Sequence, residues 1–339
     1  MNYNPITALL IFFGISLLLF FVFRPKKGIY FLLKNMYHQE DKMIIEDILK
    51  FLYHNQTSNK HITTNHLTST LEFSNDTIVE SLKTMLANEL ISLEQDCYNL
   101  TTAGSEYALQ IIRAHRLWEK YVSEKTGFHK EEWHERAEKK EHELSQSEIN
   151  KLSNLLGHPK FDPHGDPIPT SKGKMVSTKG IPLSPLKEGD IGKIIHIEDK
   201  PDIIYKQILA ENIYLYSTVR VIENNPKRIV FHSEGEQFIL APIVAGNITI
   251  SLLKKDEKQE ENIARLSSLN FDETAMIAGL SKECRGESRR RLLDLGFVKG
   301  AIVTIDLLNP LGDPKAYLIK GTSIALRKDQ ASKILINRN

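Results

Sequence analysis

The sequence predicts a mainly α-helical N-terminal half followed by two small β-barrels, with one transmembrane helix at the N-terminus. Three observations carry that expectation. Residues 6–23 hold no charged side chain and are almost wholly apolar. Residues 42–156 read as successive helices, interrupted by one short pair of strands. Beyond residue 180, one pattern of helix end and alternating strand occurs twice.

The chain has 339 residues, enough for two or three domains. Its formal net charge is +1, so the whole carries no basic signature of nucleic-acid binding. The two cysteines, Cys97 and Cys284, form no CxxC pair, and free thiols in a reducing compartment are the natural reading.

A helix over residues 6–23 would be about 27 Å long, close to one hydrocarbon core. Arg24, Lys26 and Lys27 follow at once, while residues 1–5 carry no charged side chain. The positive-inside bias then places the C-terminal bulk in the cytoplasm. A cleaved signal peptide would need a basic start and a small-residue cleavage site, and neither is present. Residues 1–28 are therefore expected to be a single-pass anchor in the inner (cytoplasmic) membrane.

Ile44, Ile45, Ile48, Leu49 and Leu52 form a helical stripe over residues 42–53. Two shorter helices follow at 64–71 and 74–88, the second with Ser74, Asp76 and Thr77 as a cap cluster. Residues 90–93 and 97–100 read as a two-strand wing. Thr101-Thr-Ala-Gly104 then opens a long helix through His115 to Glu124. That order is a winged helix-turn-helix, expected over 36–103. Its reading helix would present Ser74, Asn75, Thr77 and Lys83 to DNA. The charge opposes that role: residues 61–100 hold six carboxylates, one lysine and no arginine, net −5. Duplex DNA is usually held by Lys and Arg on its phosphates.

No Gly or Pro occurs between residues 130 and 156, so this stretch reads as one helix. Within Trp133-His-Glu-Arg-Ala-Glu-Lys-Lys-Glu-His142, Glu138, Glu141 and His142 stand at i, i+3 and i+4, on one helical face. His134 extends that face by a turn. His115 and Glu119 repeat the i, i+4 spacing on the preceding helix. Such a face is either solvated or holds a divalent cation. The His-Glu-x-x-His pattern of zinc proteases is absent.

Three motifs in order tip that balance: Ala114-His-Arg-Leu-Trp-Glu119, His134-Glu-Arg-Ala-Glu-Lys-Lys-Glu-His142, and Leu156-Gly-His-Pro-Lys-Phe-Asp-Pro-His-Gly-Asp-Pro-Ile-Pro169. Together they resemble the diphtheria toxin repressor and manganese transport regulator family of metal-dependent transcription factors. The resemblance implies a metal-binding and dimerisation domain over 104–170. It also implies a first metal site of Asp47, Glu138, Glu141 and His142, and an ancillary site of His115, Glu119 and His134. Carboxylates and imidazole without thiolate suit Mn2+ or Fe2+. Iron sensors of the family tend to carry Cys where this chain has Glu138, so the set looks like the manganese type. That type has a carboxylate where this chain has Lys50, and a cation there should weaken or remove a second Mn2+. The family also usually has Cys at the position of Asp162. His158 and His164 are either ligands or hydrogen-bonded loop residues, and the loop reading is preferred.

Residues 165–180 form a Pro-, Gly- and Lys-rich linker. Two copies of a small barrel are then expected, at 181–253 and 266–337. Gln207-Ile-Leu-Ala-Glu-Asn-Ile-Tyr-Leu-Tyr-Ser-Thr-Val-Arg-Val221 aligns with Arg291-Leu-Leu-Asp-Leu-Gly-Phe-Val-Lys-Gly-Ala-Ile-Val-Thr-Ile305. Asn212 falls opposite Gly296, and both types tolerate the left-handed helix end. Arg289-Arg-Arg-Leu-Leu-Asp-Leu-Gly-Phe297, Gly312-Asp-Pro314 and Gly321-Thr-Ser-Ile-Ala-Leu-Arg327 resemble the FeoA domain of ferrous iron transport. The N-terminal Phe20-Phe-Val-Phe-Arg-Pro-Lys-Lys-Gly28 is similar to the end of ABC-type metal permeases.

The expected function is a dimeric, membrane-tethered regulator of metal homeostasis, dependent on Mn2+ or Fe2+ and bound to double-stranded operator DNA. The alternative is a membrane-anchored metal sensor that regulates an ABC or ferrous-iron transporter by protein contact, without DNA. No nucleophile–base pair, phosphate loop or cofactor fingerprint points to an enzyme.

Overall fold

The computed structural model describes residues 29–56, 61–253 and 263–338, with scattered residues between 12 and 24. Among the described residues no helix is long and apolar enough to cross a membrane. The expected transmembrane helix, and the inner-membrane location drawn from it, are corrected accordingly. The long first helix α1 (Ile29–Gln56) carries Lys34, Glu40, Asp41, Lys42, Glu46, Asp47 and Lys50, a charge density that hydrocarbon does not accept. The apolar run 6–23 lies largely outside the described residues.

The chain divides into two compact units. The first comprises Met1–His115, Glu138–Ile149 and Pro169–Gly173. Its helices α1, α2 (Thr64–Thr70) and α3 (Asn75–Ala87) are followed by the hairpin β1 (Ile91–Glu94) and β2 (Cys97–Leu100) and by the start of α4 (Thr102–Lys125). Ile48, Leu49 and Leu52 of α1 bury against Leu67, Ile78, Leu82 and Met85, and Ile91, Leu100, Ala108 and Ile111 complete that core. The stripe read from the sequence is thus the face that packs. Ser74 caps α3, its Oγ accepting from the Thr77 N–H at 3.2 Å. Gln95 and Asp96 both take positive φ, 48° and 63°, the two-residue turn whose twist matches a hairpin.

The stretch expected as one helix is broken. A 3-10 turn (Lys130–Glu132) leads into α5 (Trp133–Glu141), and α6 (Gln146–Leu155) follows after a turn. Ser145 caps α6: its backbone N–H donates to Glu148 Oε2 at 2.8 Å, and its Oγ accepts from the Glu148 N–H at 3.4 Å. This reciprocal pair starts α6 after the turn that follows α5, without Gly or Pro.

The second unit comprises Arg116–Ala137, Asn150–Ile168 and Lys174–Asn339. It holds two six-stranded antiparallel sheets. In the first, β3 (Ile181–Pro182), β4 (Ile191–Ile197), β5 (Thr218–Asn224), β6 (Ile229–Ser233), β7 (Glu236–Leu240) and β8 (Ile248–Leu252) lie in the order β3-β8-β4-β5-β6-β7. In the second, β9 (Ile263–Arg265), β10 (Thr274–Leu280), β11 (Ile302–Leu308), β12 (Lys315–Ile319), β13 (Thr322–Leu326) and β14 (Ile334–Arg338) lie in the order β9-β14-β10-β11-β12-β13. The two orders are the same. Each sheet has one helix after its first long strand, α7 (Asp202–Ala210) and α8 (Gly286–Asp294). Register breaks recur at matching places, Ile194/His196 with Ile277/Gly279 and Val221/Glu223 with Ile305/Leu307.

The expectation of closed barrels is corrected: both sheets are open, and their end strands do not pair with each other. Bulges bend a sheet and raise its twist, so each sheet encloses a core without joining its edges. Ile194, Val219, Phe231 and Ile250 fill the first core, and Ile277, Phe297, Val303 and Tyr317 the second. Arg265 of β9, with a side chain 7% exposed, lies between the sheets' charged turns, 3.2 Å from Glu236 and 3.9 Å from Glu234.

Candidate metal centre

In the first unit, α1 supplies Glu46, Asp47 and Lys50, and the end of α5 supplies Glu141 and His142. Ligand atoms of Asp47, Glu141 and His142 lie within 4.8 Å of one another. Glu141 is the last residue of α5, and His142 sits in the turn that follows. Glu138, one turn earlier, is exposed and outside this group. Glu138 lies within α5, three residues before Glu141.

The imidazole of His142 is held from both sides. Its Nδ1 is 2.6 Å from Glu46 Oε2, and its Nε2 is 3.4 Å from both Asp47 Oδ1 and Glu141 Oε1. Glu46 is 3% exposed and accepts the Tyr107 hydroxyl at 2.6 Å. A carboxylate behind one ring nitrogen fixes the ring and leaves the other nitrogen for a metal. Sequence reasoning missed Glu46, which stands beside the apolar stripe of α1 among other charged residues. Burial alone would lower His142, but hydrogen bonds to Asp47 and Glu46 and the Glu141 charge raise it to about 9.

Both Glu141 oxygens are engaged. Oε1 is 2.5 Å from Lys50 Nζ, and Oε2 is 2.5 Å from His115 Nδ1. Burial would raise its pKa, but the His115 hydrogen bond and the Lys50 charge hold it below the usual carboxylate range. His115 thus pairs with Glu141, while standing one turn before Glu119 on α4.

In the second unit, Glu119 is 1% exposed and its Oε1 is 3.7 Å from His134 Nδ1 and 3.2 Å from His164 Nε2. Asp199, after β4, lies 3.6 Å from His134. Burial would lower His164, but the Glu119 hydrogen bond and nearby carboxylates raise it to about 9. Asp162 accepts three backbone N–H groups, from His164, Gly165 and Asp166, at 2.8–2.9 Å. That turn lets Gly165 (φ 97°) approach β4 so closely that a Cβ would lie 2.1 Å from the Ile195 carbonyl oxygen. His158 meets Ser153 Oγ at 3.2 Å. Neither His164 nor Asp199 stood among the predicted ligands.

The predicted DNA-reading residues lie on or beside α3. Ser74, Asn75 and Lys83 are exposed and Thr77 is half-buried, but Ser74 is the helix cap and Lys83 pairs with Glu80 at 3.3 Å. Asp76, Val79 and Glu80 share the exposed surface.

Residues 101–170 match the family described as iron dependent repressor, metal binding and dimerisation domain, and residues 264–338 match the FeoA domain. A solved structure described as a manganese-dependent transcriptional repressor in complex with manganese superposes with a TM-score of 0.54 at 27% identity, over 61% of this chain and 99% of that one. Over these residues the chain is similar to the diphtheria toxin repressor and manganese transport regulator family. It carries a FeoA domain at its C-terminal end. Among curated relatives, the iron-dependent repressor IdeR of Mycobacterium leprae is 27% identical over 40% of this chain and 64% of its own length. A probable metal transport system membrane protein of Chlamydia trachomatis is 40% identical over 80 residues. The chain spans just 18% of that protein's length.

The donor set fits the metals of these repressors. Two carboxylates and one imidazole are hard-to-borderline ligands, their atoms converge, and no thiolate is among them.

Proposed function

We propose that this chain is a homodimeric, metal-dependent transcriptional regulator of metal homeostasis that binds Mn2+ or Fe2+ and operator DNA. The observation that carries this reading is the convergence of Asp47 from α1 with Glu141 and His142 from the end of α5. A bound dication would supply the positive charge that joins those two elements. Asp47 and Glu141 would each give a carboxylate oxygen, and His142 its Nε2 once deprotonated. Glu46 and Tyr107 keep the imidazole turned to the site. Glu119, His134 and, one turn before Glu119, His115 supply the ancillary ligands in this reading. α1 packs against α3 in the first unit's core, so fixing α1 also restricts the helix expected to meet DNA. Coupling of metal to DNA affinity follows if one arrangement fits two half-sites.

Replacing Glu141 or His142 by Ala should abolish tight Mn2+ binding in calorimetry on the full chain. Unchanged stoichiometry would remove the site assignment. Selection of genomic DNA fragments with Mn2+, with Fe2+ and with chelator then tests the regulator: metal-dependent enrichment of a palindrome supports it.

One observation favours a second reading, in which the metal-bound form contacts a protein of a metal transporter. The exposed surface of α3 carries Asp76, Val79 and Glu80, a poor match for phosphates. Metal binding without any DNA enrichment is the result this reading expects.

A further inference from the structure

Lys50 gives this centre a property that its ligands alone do not. Its ammonium lies 2.5 Å from Glu141 Oε1, with Lys50 17% and Glu141 0% exposed at the side chain. The other Glu141 oxygen is taken by His115. Each carboxylate oxygen has two lone pairs, so a metal that uses Glu141 either crowds in beside one of the two partners or takes its place. His115 is buried on α4, whereas Lys50 is at the half-buried edge of α1 on a flexible four-carbon stem. A dication bound to the same oxygen would also stand within a few ångströms of the ammonium, where like charges repel strongly. Lys50 is the partner that leaves.

We infer that Lys50 is an internal cation that occupies the Glu141 side of the metal centre and sets its affinity: metal binding exchanges one ammonium for one dication. The inference rests on the metal centre proposed above. Its consequence is regulatory. The link between α1 and the end of α5 exists before metal arrives, through Lys50–Glu141, Lys42 Nζ on the His142 carbonyl at 2.8 Å, and Glu46–His142. Metal then replaces a connection instead of creating one. The centre answers to higher free metal than its ligand count implies, and the metal-free protein is already ordered there.

The test compares the full wild-type chain with K50M, K50R and H142A, reading Mn2+ affinity by calorimetry and the melting temperature of the metal-free protein. K50Q runs in parallel in case Met disturbs the fold. K50M and K50Q should bind Mn2+ about tenfold tighter or more, because the competing charge is gone. Both should melt at lower temperature without metal. K50R should stay close to wild type in both readouts. Equal affinity of wild type, K50M and K50Q, with binding still lost in H142A, overturns the exchange and leaves the metal centre standing. Equal tightening by K50R also overturns it, because charge would then not be the cause. Unchanged binding in H142A overturns the centre and the exchange together.

Discussion

His142 enters the metal-free site as an imidazolium. Its pKa is raised to about 9 by Asp47, Glu46 and Glu141, against the effect of burial, so near neutral pH it carries a proton that a metal must expel. Apparent Mn2+ affinity should therefore rise as pH climbs from 6.5 toward 9, by up to about tenfold per unit from this group. Calorimetry in buffers of different ionisation enthalpy would show the released proton; a flat profile would mean that His142 does not ligate. The same shift stabilises the metal-free fold below the unfolded pKa of about 6.5, and that contribution is lost as pH rises through the folded value. Of the three residues that converge, Glu141 and His142 stand in a motif of the sequence, whereas Asp47 is named only through the family resemblance. Glu46 was not legible, because a carboxylate beside an apolar stripe shows its purpose only when its partners, Tyr107 and His142, arrive from distant segments. Glu138 precedes Glu141 by one turn of α5 and is exposed, while His142 lies just past the helix end and meets Glu46 and Asp47.

At the level of elements, the turn between α5 and α6 decides where Glu141 and His142 stand. Its signal was present in the sequence as Ser145-Gln-Ser-Glu148, a capping box that an absence of Gly and Pro conceals. Ser145→Ala should cost about 1 kcal/mol in chemical denaturation and weaken metal binding as well, because the turn that ends α5 would loosen. A stability loss with unchanged Mn2+ affinity would show that the turn does not position His142. The other helices were more legible. The stripe of α1, the Ser74 cap and the two wing strands each follow from local spacing or turn chemistry. The wing's tight turn at Gln95 and Asp96 lacks the Gly or Asn that usually marks such a turn, so its geometry appeared only in the structure.

Across the whole molecule, duplication was legible and closure was not. The repeated helix-end and strand pattern was visible because both copies need the same left-handed position, Asn212 (φ 54°) and Gly296 (φ 95°). Whether a curved sheet joins its own edges depends on twist and bulge position summed over six strands, and no single segment encodes that sum. The membrane expectation rested on composition within 6–23, whereas the long helix that is described carries charges along its length. Arg265 is a candidate for what holds the two sheets in one unit, with Glu236, Glu234 and Glu283 all within 4.0 Å. Arg265→Met should destabilise the chain by about 1 kcal/mol, because the pairs it loses are to carboxylates that are partly or well exposed. Denaturant titration that shows no shift in midpoint would assign the clamp no net effect.

An open sheet has something a barrel lacks, two free margins where a stranger's backbone can attach. The β3 margin is only two residues long and includes Pro182. Leu183 turns its N–H inward to the Ile248 carbonyl, so by alternation the position before it faces outward. Proline there removes the one donor that would have pointed at solvent. The first sheet can therefore stay uncurled in a crowded cell without offering that side as a seed for self-association.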